Sequence, residues 1–303
     1  MQRFSHVATR FLSWADKCLA RSTVNVYKHY FRRFVEHHGD LHVRKLQPAH
    51  LQEWADTWHA TQAIKRLFNW ALLDAGLVKR NPFERVKHPP KGQRRRIMNR
   101  KEMCIYLRRT AQDLRALLTM HRETFARPEE LRVACWDDVQ FEGEKESLRQ
   151  ALLAGRAVIV LTDYKARKRR RLPSDPRVLL LSPRAGRLLV RLLDRAGDAN
   201  GPIFLTSAGR AWTPNAVRCR LRRLRTKWKL ARDKRGENVV PYTFRHTGAT
   251  RAAAHGVRDR LLADILGHVE TSTTRRYQHL DLEHLRTALG PLWFGNHGGK
   301  TSM

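Results

Sequence analysis

The sequence is short of acid: 28 Asp and Glu stand against 60 Lys and Arg, a formal net charge of +32 over 303 residues. Cysteine is also sparse. Cys18, Cys104, Cys135 and Cys219 are scattered with no Cys-x-x-Cys pair. This argues against a disulfide framework or a zinc finger and suits a reducing cytosol. No run approaches the roughly 20 apolar residues of a membrane-spanning helix. Residues 1–20 mix Arg, His, Asp and Lys with apolar side chains and do not read as a signal peptide. Hydrophobic residues nevertheless make up 42%. The chain is therefore no disordered basic tail, and its length suits about two domains.

What remains is positive charge, and it points to a polyanion, nucleic acid first. An Arg-rich composition can follow genome base composition, and Arg outnumbers Lys by 45 to 15 here. That bias would not remove acidic residues. The charge also falls in three separate clusters: Lys91–Lys101, Lys165–Arg171, and Arg218–Arg235 with Asp233 as its single acid. Such spacing fits a protein that wraps its partner. Arg94, Arg95, Arg96, Lys168, Arg169, Arg170, Arg222 and Arg223 are the candidate DNA contacts. A basic helix of this kind can touch phosphates without reading bases.

Residues 1–88 read as a helical domain. Ser22 is a candidate N-cap for a helix carrying Tyr27, Tyr30, Phe31, Phe34 and Val35, with Gly39 as its stop. A second helix aligns Ile64, Leu67, Phe68, Ala71 and Leu72 and ends near Gly76. Residues 89–98, rich in Pro, Gly and Arg, read as a basic linker able to lie along a phosphate backbone. Residues 99–303 form a larger domain. It is expected to hold a helix from Met103 to Met120, a buried strand at 157–161, a strand pair closing near Lys165, and a helix opened by Ser182-Pro183. The fold class is mainly α with a small antiparallel β-sheet.

Several polar residues sit at element ends, where side chains can converge. Pro128 disfavours helix at Arg127 and suits the first helical position, so Arg127 stands at a helix entry. Glu130 is placed to tether it. Thr243 is a candidate N-cap that would put Arg245 in a first helical turn. Gly267 ends the helix from Val257 to Leu266, and His268 follows it. Ser272 then caps a last helix carrying Tyr277.

Taken together these segments resemble the tyrosine recombinases of the phage integrase family. The Arg-x-x-Glu-Leu segment matches at Arg127, Glu130 and Leu131, with Trp136 and Asp138 trailing. Tyr164-Lys165, followed by Arg170-Arg171-Leu172-Pro173, matches the family's β-hairpin lysine at Lys165, with Lys168 the rival. The His-x-x-Arg-His motif matches at Arg245 and His246, with Tyr242 in first position. Leu266-Gly267-His268 matches, and Tyr277 follows nine residues after His268. Residues 5–88 look like the family's SAM-like core-binding domain. Two departures stand out: Tyr242 replaces the usual His, and Phe125 replaces the usual Gly.

The resemblance implies an enzyme that cleaves and rejoins duplex DNA through a 3′-phosphotyrosyl intermediate, without metal or cofactor. It implies Arg127 and Arg245 as the phosphate clamp, Lys165 as proton donor to the leaving 5′-oxygen, His268 as phosphate ligand and Tyr277 as nucleophile. Tyr242 is a further catalytic candidate, and its exchange leaves the proton acceptor for Tyr277 open. His246 reads as structural. Implied partners are double-stranded DNA, a homotetramer on two DNA sites and an accessory DNA-bending protein, in the cytoplasm and on the nucleoid. The C-terminal stripe Leu282, Leu285, Leu289, Leu292 and Trp293 is expected to dock on a neighbouring protomer. No additional N-terminal arm-binding domain is expected. The competing readings are a DNA-binding regulator with a decayed site, and a type IB topoisomerase-like nicking enzyme.

Overall fold

The computed structural model describes residues 2–92, 95–141, 147–162, 176–267 and 282–294, with 282–284 and 294 described by backbone alone. The chain divides into two compact units, residues 1–94 and 95–303.

The first unit is built on four helices: α1 (Phe4–Cys18), α2 (Arg21–His38), α3 (Pro48–Trp54) and α4 (Trp58–Leu73). Aromatic rings at helical spacing fill its core. Phe4, Phe11, Phe31, Phe34, Phe68 and Phe83 are all buried, and the Phe4 ring lies 4.8 Å from Phe34 and 6.1 Å from Phe68. These tilted ring contacts add to the apolar burial. Ser22 does not cap α2, which begins two residues earlier than that cap would set it, with Ala20 at the N-cap and no side-chain cap bond. Gly39 closes the helix at φ 73°, as expected.

The second unit carries α5 (Arg100–Arg109), α6 (Gln112–Thr124), α7 (Pro128–Val133), β1 (Val139–Phe141), α8 (Leu148–Ala154), β2 (Ala157–Leu161) and β3 (Arg177–Leu180). It continues with α9 (Pro183–Ala196), α10 (Pro214–Lys227), α11 (Pro241–Ala254), α12 (Asp259–Leu266) and α13 (Leu282–Phe294). The strands form one antiparallel sheet in the order β1-β2-β3, with Ile159 opposite both Val139 and Leu179. Mainly helical with a small antiparallel sheet is thus the architecture of the described residues. Among them, no helix is long and apolar enough to cross a membrane.

The single helix expected from Met103 to Met120 is two. Arg115 donates Nε to the Thr110 carbonyl at 3.2 Å and Nη2 to the carbonyls of Thr110 and Arg108 at 2.8 and 3.0 Å. A guanidinium thus satisfies the carbonyls that a continuing helix would have paired. Ser182 caps α9 through Ala185 N–H, as its sequence suggests. The strand after the basic segment is Arg177–Leu180, and Leu172-Pro173 lie outside the described residues.

The stripe on α13 packs within its own chain. Leu285 and Leu289 are buried with Phe125, Ile265 and Leu266, and Leu292 and Trp293 pack against that cluster. In this single chain the described part of the stripe thus lies with residues of α12 and the Phe125 turn; Leu282 is described by backbone alone.

Helices α8 and α9 touch at Gly186, where an added Cβ would overlap the Leu152 carbonyl oxygen and stand 3.1 Å from its carbon. Backbone cannot yield as a side-chain tip does. Gly186→Ala is expected to cost about 2 kcal/mol by overpacking, measured as a lowered urea midpoint for residues 95–303; an unchanged midpoint would show that the two helices part freely.

Candidate active site

The site is assembled where α6 ends. Thr124 Oγ1 donates to Met120 O at 2.7 Å and accepts from Ala126 N–H at 3.3 Å, turning the chain out of the helix. Phe125 follows at φ 53° and ψ 22°, the left-handed region. Pro128 then opens α7, leaving Arg127 at the N-cap with φ −68° and ψ 150°. Glu130 grips Arg127 at both ends: Oε2 accepts from its backbone N–H at 2.7 Å, and Oε1 from Nη1 at 2.6 Å. The remaining arm, Nη2, donates to the Gly267 carbonyl at 2.8 Å.

Arg245 arrives from α11. That helix begins at Pro241, with Val240 as N-cap, and Thr243 Oγ1 accepts from Val240 N–H at 3.1 Å. Thr243 is therefore inside the helix, and Arg245 lies beyond the first turn, not in it. Arg245 Nη1 donates to the Phe125 carbonyl and Nη2 to the Leu266 carbonyl, both at 2.6 Å. The side chain is 2% exposed.

A third arginine completes the arrangement. Arg177, at the start of β3, donates Nη2 to the Ile265 carbonyl at 2.6 Å and Nη1 to the Asp264 carbonyl at 3.4 Å. Its Nε stands 3.7 Å from Glu130 Oε2. The carbonyls of residues 264, 265, 266 and 267 thus all face guanidinium groups. Those of Ile265 and Leu266 end α12, Gly267 is its C-cap, and the Asp264 carbonyl also accepts from Gly267 N–H at 2.9 Å; all lie at the negative end of the helix dipole. Gly267 is needed there on two counts. Its φ is 62°, and a Cβ would come within 2.9 Å of Arg177 Nε.

Burial alone would raise the Glu130 pKa, but the charge of Arg177 and the hydrogen bonds from Arg127 outweigh it and hold the carboxyl below its usual range. Burial first, and the charge of Arg127 second, push the Arg245 guanidinium down; Tyr242 and Glu130 oppose this. Two like charges are thus held together in a low-dielectric recess, which favours an anion between them. Beneath them lies His121, 1% exposed, with Nδ1 unpartnered. Burial pushes its pKa to about 4, with Arg245 adding to the shift and the Ala126 backbone and Glu130 opposing it. The imidazole is neutral at pH 7.

The structure therefore brings Arg127 and Arg245 together. Tyr242 lies near them, 37% exposed, its ring edge-on to His246 at 4.6 Å and 5.9 Å from Arg245 Cζ. Burial and the neighbouring Arg245 lower the His246 pKa. Lys165, His268 and Tyr277 lie outside the described residues, as do Arg94, Lys168, Arg169 and Arg170. Arg95, Arg222 and Arg223 are exposed. Arg96 is not: it is 6% exposed and paired with Glu102 at 2.5 Å and Asp233 at 3.8 Å. Its guanidinium is a strut of this unit, where the sequence reading sets it on DNA. Arg177 and His121 escape the sequence reading, since neither lies in a recognisable motif. Among the described residues no group of His, Cys, Asp and Glu is arranged to hold a metal ion.

Comparison with known proteins gives a consistent picture. Residues 91–284 match the phage integrase family. The tyrosine recombinase XerC of Rhodospirillum centenum is 34% identical over 89 residues, which are 29% of this chain and 25% of that protein. XerC of Azotobacter vinelandii is 31% identical over 99 residues, 33% and 31% of the two chains. The matched segment thus spans a quarter to a third of these curated relatives. Among solved structures, a lambda integrase tetramer bound to a Holliday junction superimposes with a TM-score of 0.67 at 12% identity, over 93% of this chain and 81% of that one. The Tn1549 transposon integrase, residues 82–397, in complex with circular intermediate DNA gives 0.63 at 15% identity, over 95% and 99%. At such identities the likeness is one of fold.

The buried His121 makes a prediction about acid stability. Its folded pKa of about 4 lies below the ordinary 6.5. Between those values the unfolded chain binds a proton that the folded chain does not, so stability falls as pH drops from 6.5 to 4 and levels off below. The contribution is about 3 kcal/mol. His121→Gln is expected to flatten that limb in urea unfolding at pH 6.5, 5 and 4; parallel profiles for variant and wild type would contradict it.

Proposed function

The chain belongs to the phage integrase family, and we propose that it is a tyrosine-type site-specific recombinase acting on duplex DNA. The observation that carries this reading is the convergence of Arg127 and Arg245 on the adjacent carbonyls of Gly267 and Leu266, directly before His268. Two guanidinium forks pressed together against their mutual repulsion suit the non-bridging oxygens of one phosphodiester.

In the reaction, the scissile phosphate enters between the two forks and takes over donors now given to carbonyls. The Tyr277 oxygen attacks phosphorus as its proton passes to water. The bond from phosphorus to the 5′-oxygen breaks, and that oxygen takes a proton from Lys165. Phosphorus is then held by a 3′-phosphotyrosyl bond, which conserves the energy of the broken link. A 5′-hydroxyl from a second strand reverses the step and restores Tyr277. Negative charge grows on the phosphate in the transition state, and Arg127, Arg245 and His268 stabilise it. Removing one such donor costs on the order of 100- to 1000-fold in rate. Tyr242, half turned to solvent beside Arg245, hydrogen-bonds the same phosphate.

The net charge of +32 supplies the affinity for DNA. Exposed Arg95, Arg222 and Arg223, with Arg94, Lys168, Arg169 and Arg170, contact backbone phosphates. Both units, residues 1–94 and 95–303, bind the duplex in the cytoplasm. The solved lambda integrase tetramer on a Holliday junction supports four protomers on two DNA sites as the working assembly. A regulator that only binds DNA has less support, because Arg127, Lys165, Arg245, His268 and Tyr277 are all retained.

The test is covalent trapping. Wild type and Tyr277→Phe are incubated in EDTA with nicked duplexes carrying the ends of the element that encodes the protein. A denaturation-resistant protein–DNA adduct is expected with wild type alone. Tight, salt-sensitive binding with no adduct would favour the regulator.

A further inference from the structure

Phe125 stands where the family resemblance calls for glycine, and its backbone shows why glycine suits the place. At φ 53° it occupies the left-handed region, where an L side chain is strained. The side chain is nonetheless enclosed, 2% exposed, in the cluster that holds Ala252, Ile265, Leu266, Leu285 and Leu289.

What the ring touches is specific. It lies against Gly248 of α11, where an added Cβ would stand 2.5 Å from Cε1 and nearer still to Cδ1. Ring and glycine therefore fill one space between them. Gly248 follows Arg245 by three positions, so both lie on the same face of α11. The Phe125 carbonyl meanwhile accepts the Arg245 Nη1 bond at 2.6 Å. One residue thus contacts α11 twice, through its ring at residue 248 and through its carbonyl at residue 245.

We propose that Phe125 is a positioning residue for the reaction. Its ring sets how closely α11 approaches the end of α6, and so where the Arg245 guanidinium stands relative to Arg127 and to the phosphate. A glycine at residue 125 would keep the left-handed turn and its carbonyl but leave the space over Gly248 empty. Phe125 therefore supplies a spacing that the turn alone does not. The inference rests on the role given to Arg245 above.

The test compares wild type with Phe125→Gly, Gly248→Ala and the double variant. Three quantities are read: the adduct rate at saturating DNA, the DNA affinity and the melting temperature. A small misplacement of a catalytic group costs on the order of 100-fold in rate. Phe125→Gly is expected to lose about tenfold or more in adduct rate while its DNA affinity stays close to wild type. Gly248→Ala is expected to lose at least as much, because methyl and ring cannot share the space. The double variant is expected to react faster than Gly248→Ala, because the ring that the methyl displaces is gone.

A purely structural role would lower the melting temperature and leave the rate of the folded, saturated protein unchanged, and that result overturns the proposal. So does a double variant no faster than Gly248→Ala. If Gly248→Ala does not fold, Phe125→Gly decides: an unchanged rate overturns the proposal, and a slowed rate at undiminished affinity supports it. Wild type that forms no adduct removes the recombinase reading and this inference together. Wild type that forms adduct beside variants of equal rate removes this inference alone.

Discussion

The last turn of α12 is the constraint on which the site depends. Asp264, Ile265, Leu266 and Gly267 present their carbonyls in succession, and Arg177, Arg245 and Arg127 meet them. The three arginines come from β3, α11 and the entry of α7, elements far apart in the chain. A helix C-terminus must find donors for its orphan carbonyls. Here the donors are charged, which strengthens each bond and suits the negative end of the helix dipole. The same need that completes α12 therefore gathers the cations that the proposed chemistry requires.

Such a cluster is costly to bury. Guanidinium groups brought together repel, and each loses hydration. Glu130 offsets this by bonding Arg127 at two points and facing Arg177 at 3.7 Å. Among the described residues, Glu130 is thus the carboxylate that ties Arg127 and Arg177. His121, held neutral by its burial, adds no charge. In the proposed reaction a phosphodiester entering between Arg127 and Arg245 relieves their repulsion. Folding brings the guanidinium groups together, and in the proposed reaction the phosphate replaces carbonyls as their acceptor.

Much of this was legible in the sequence, because part of it is local. Pro128 marks the helix entry that makes Arg127 an N-cap, and Glu130 sits at the spacing that lets a carboxylate reach back. Gly267 marks the end of α12, and Ala157–Leu161 reads as a buried strand. What escaped is what depends on distant partners. Arg177 looks like one more basic residue after a basic run, and only folding sets it under Gly267. The break between α5 and α6 comes from Arg115 reaching back to Arg108 and Thr110, with no proline or glycine to announce it. Arg96 belongs to a run of charge that suggests solvent, yet Glu102 and Asp233 draw it inside. Phe125 could be recognised as a departure, but its fit to Gly248 spans more than a hundred residues of sequence.

The most direct test of the account is whether the buried guanidinium acts on phosphate charge. Cleavage by wild type and Arg245→Ala would be timed on two strands, one native and one with a neutral methylphosphonate at the scissile position. Loss of the clamp is expected to slow the native strand on the order of 100- to 1000-fold. If Arg245 neutralises the phosphate, that deficit shrinks strongly on the methylphosphonate, where there is no charge to neutralise. An equal deficit on both strands would contradict the account and assign Arg245 to holding α12 alone.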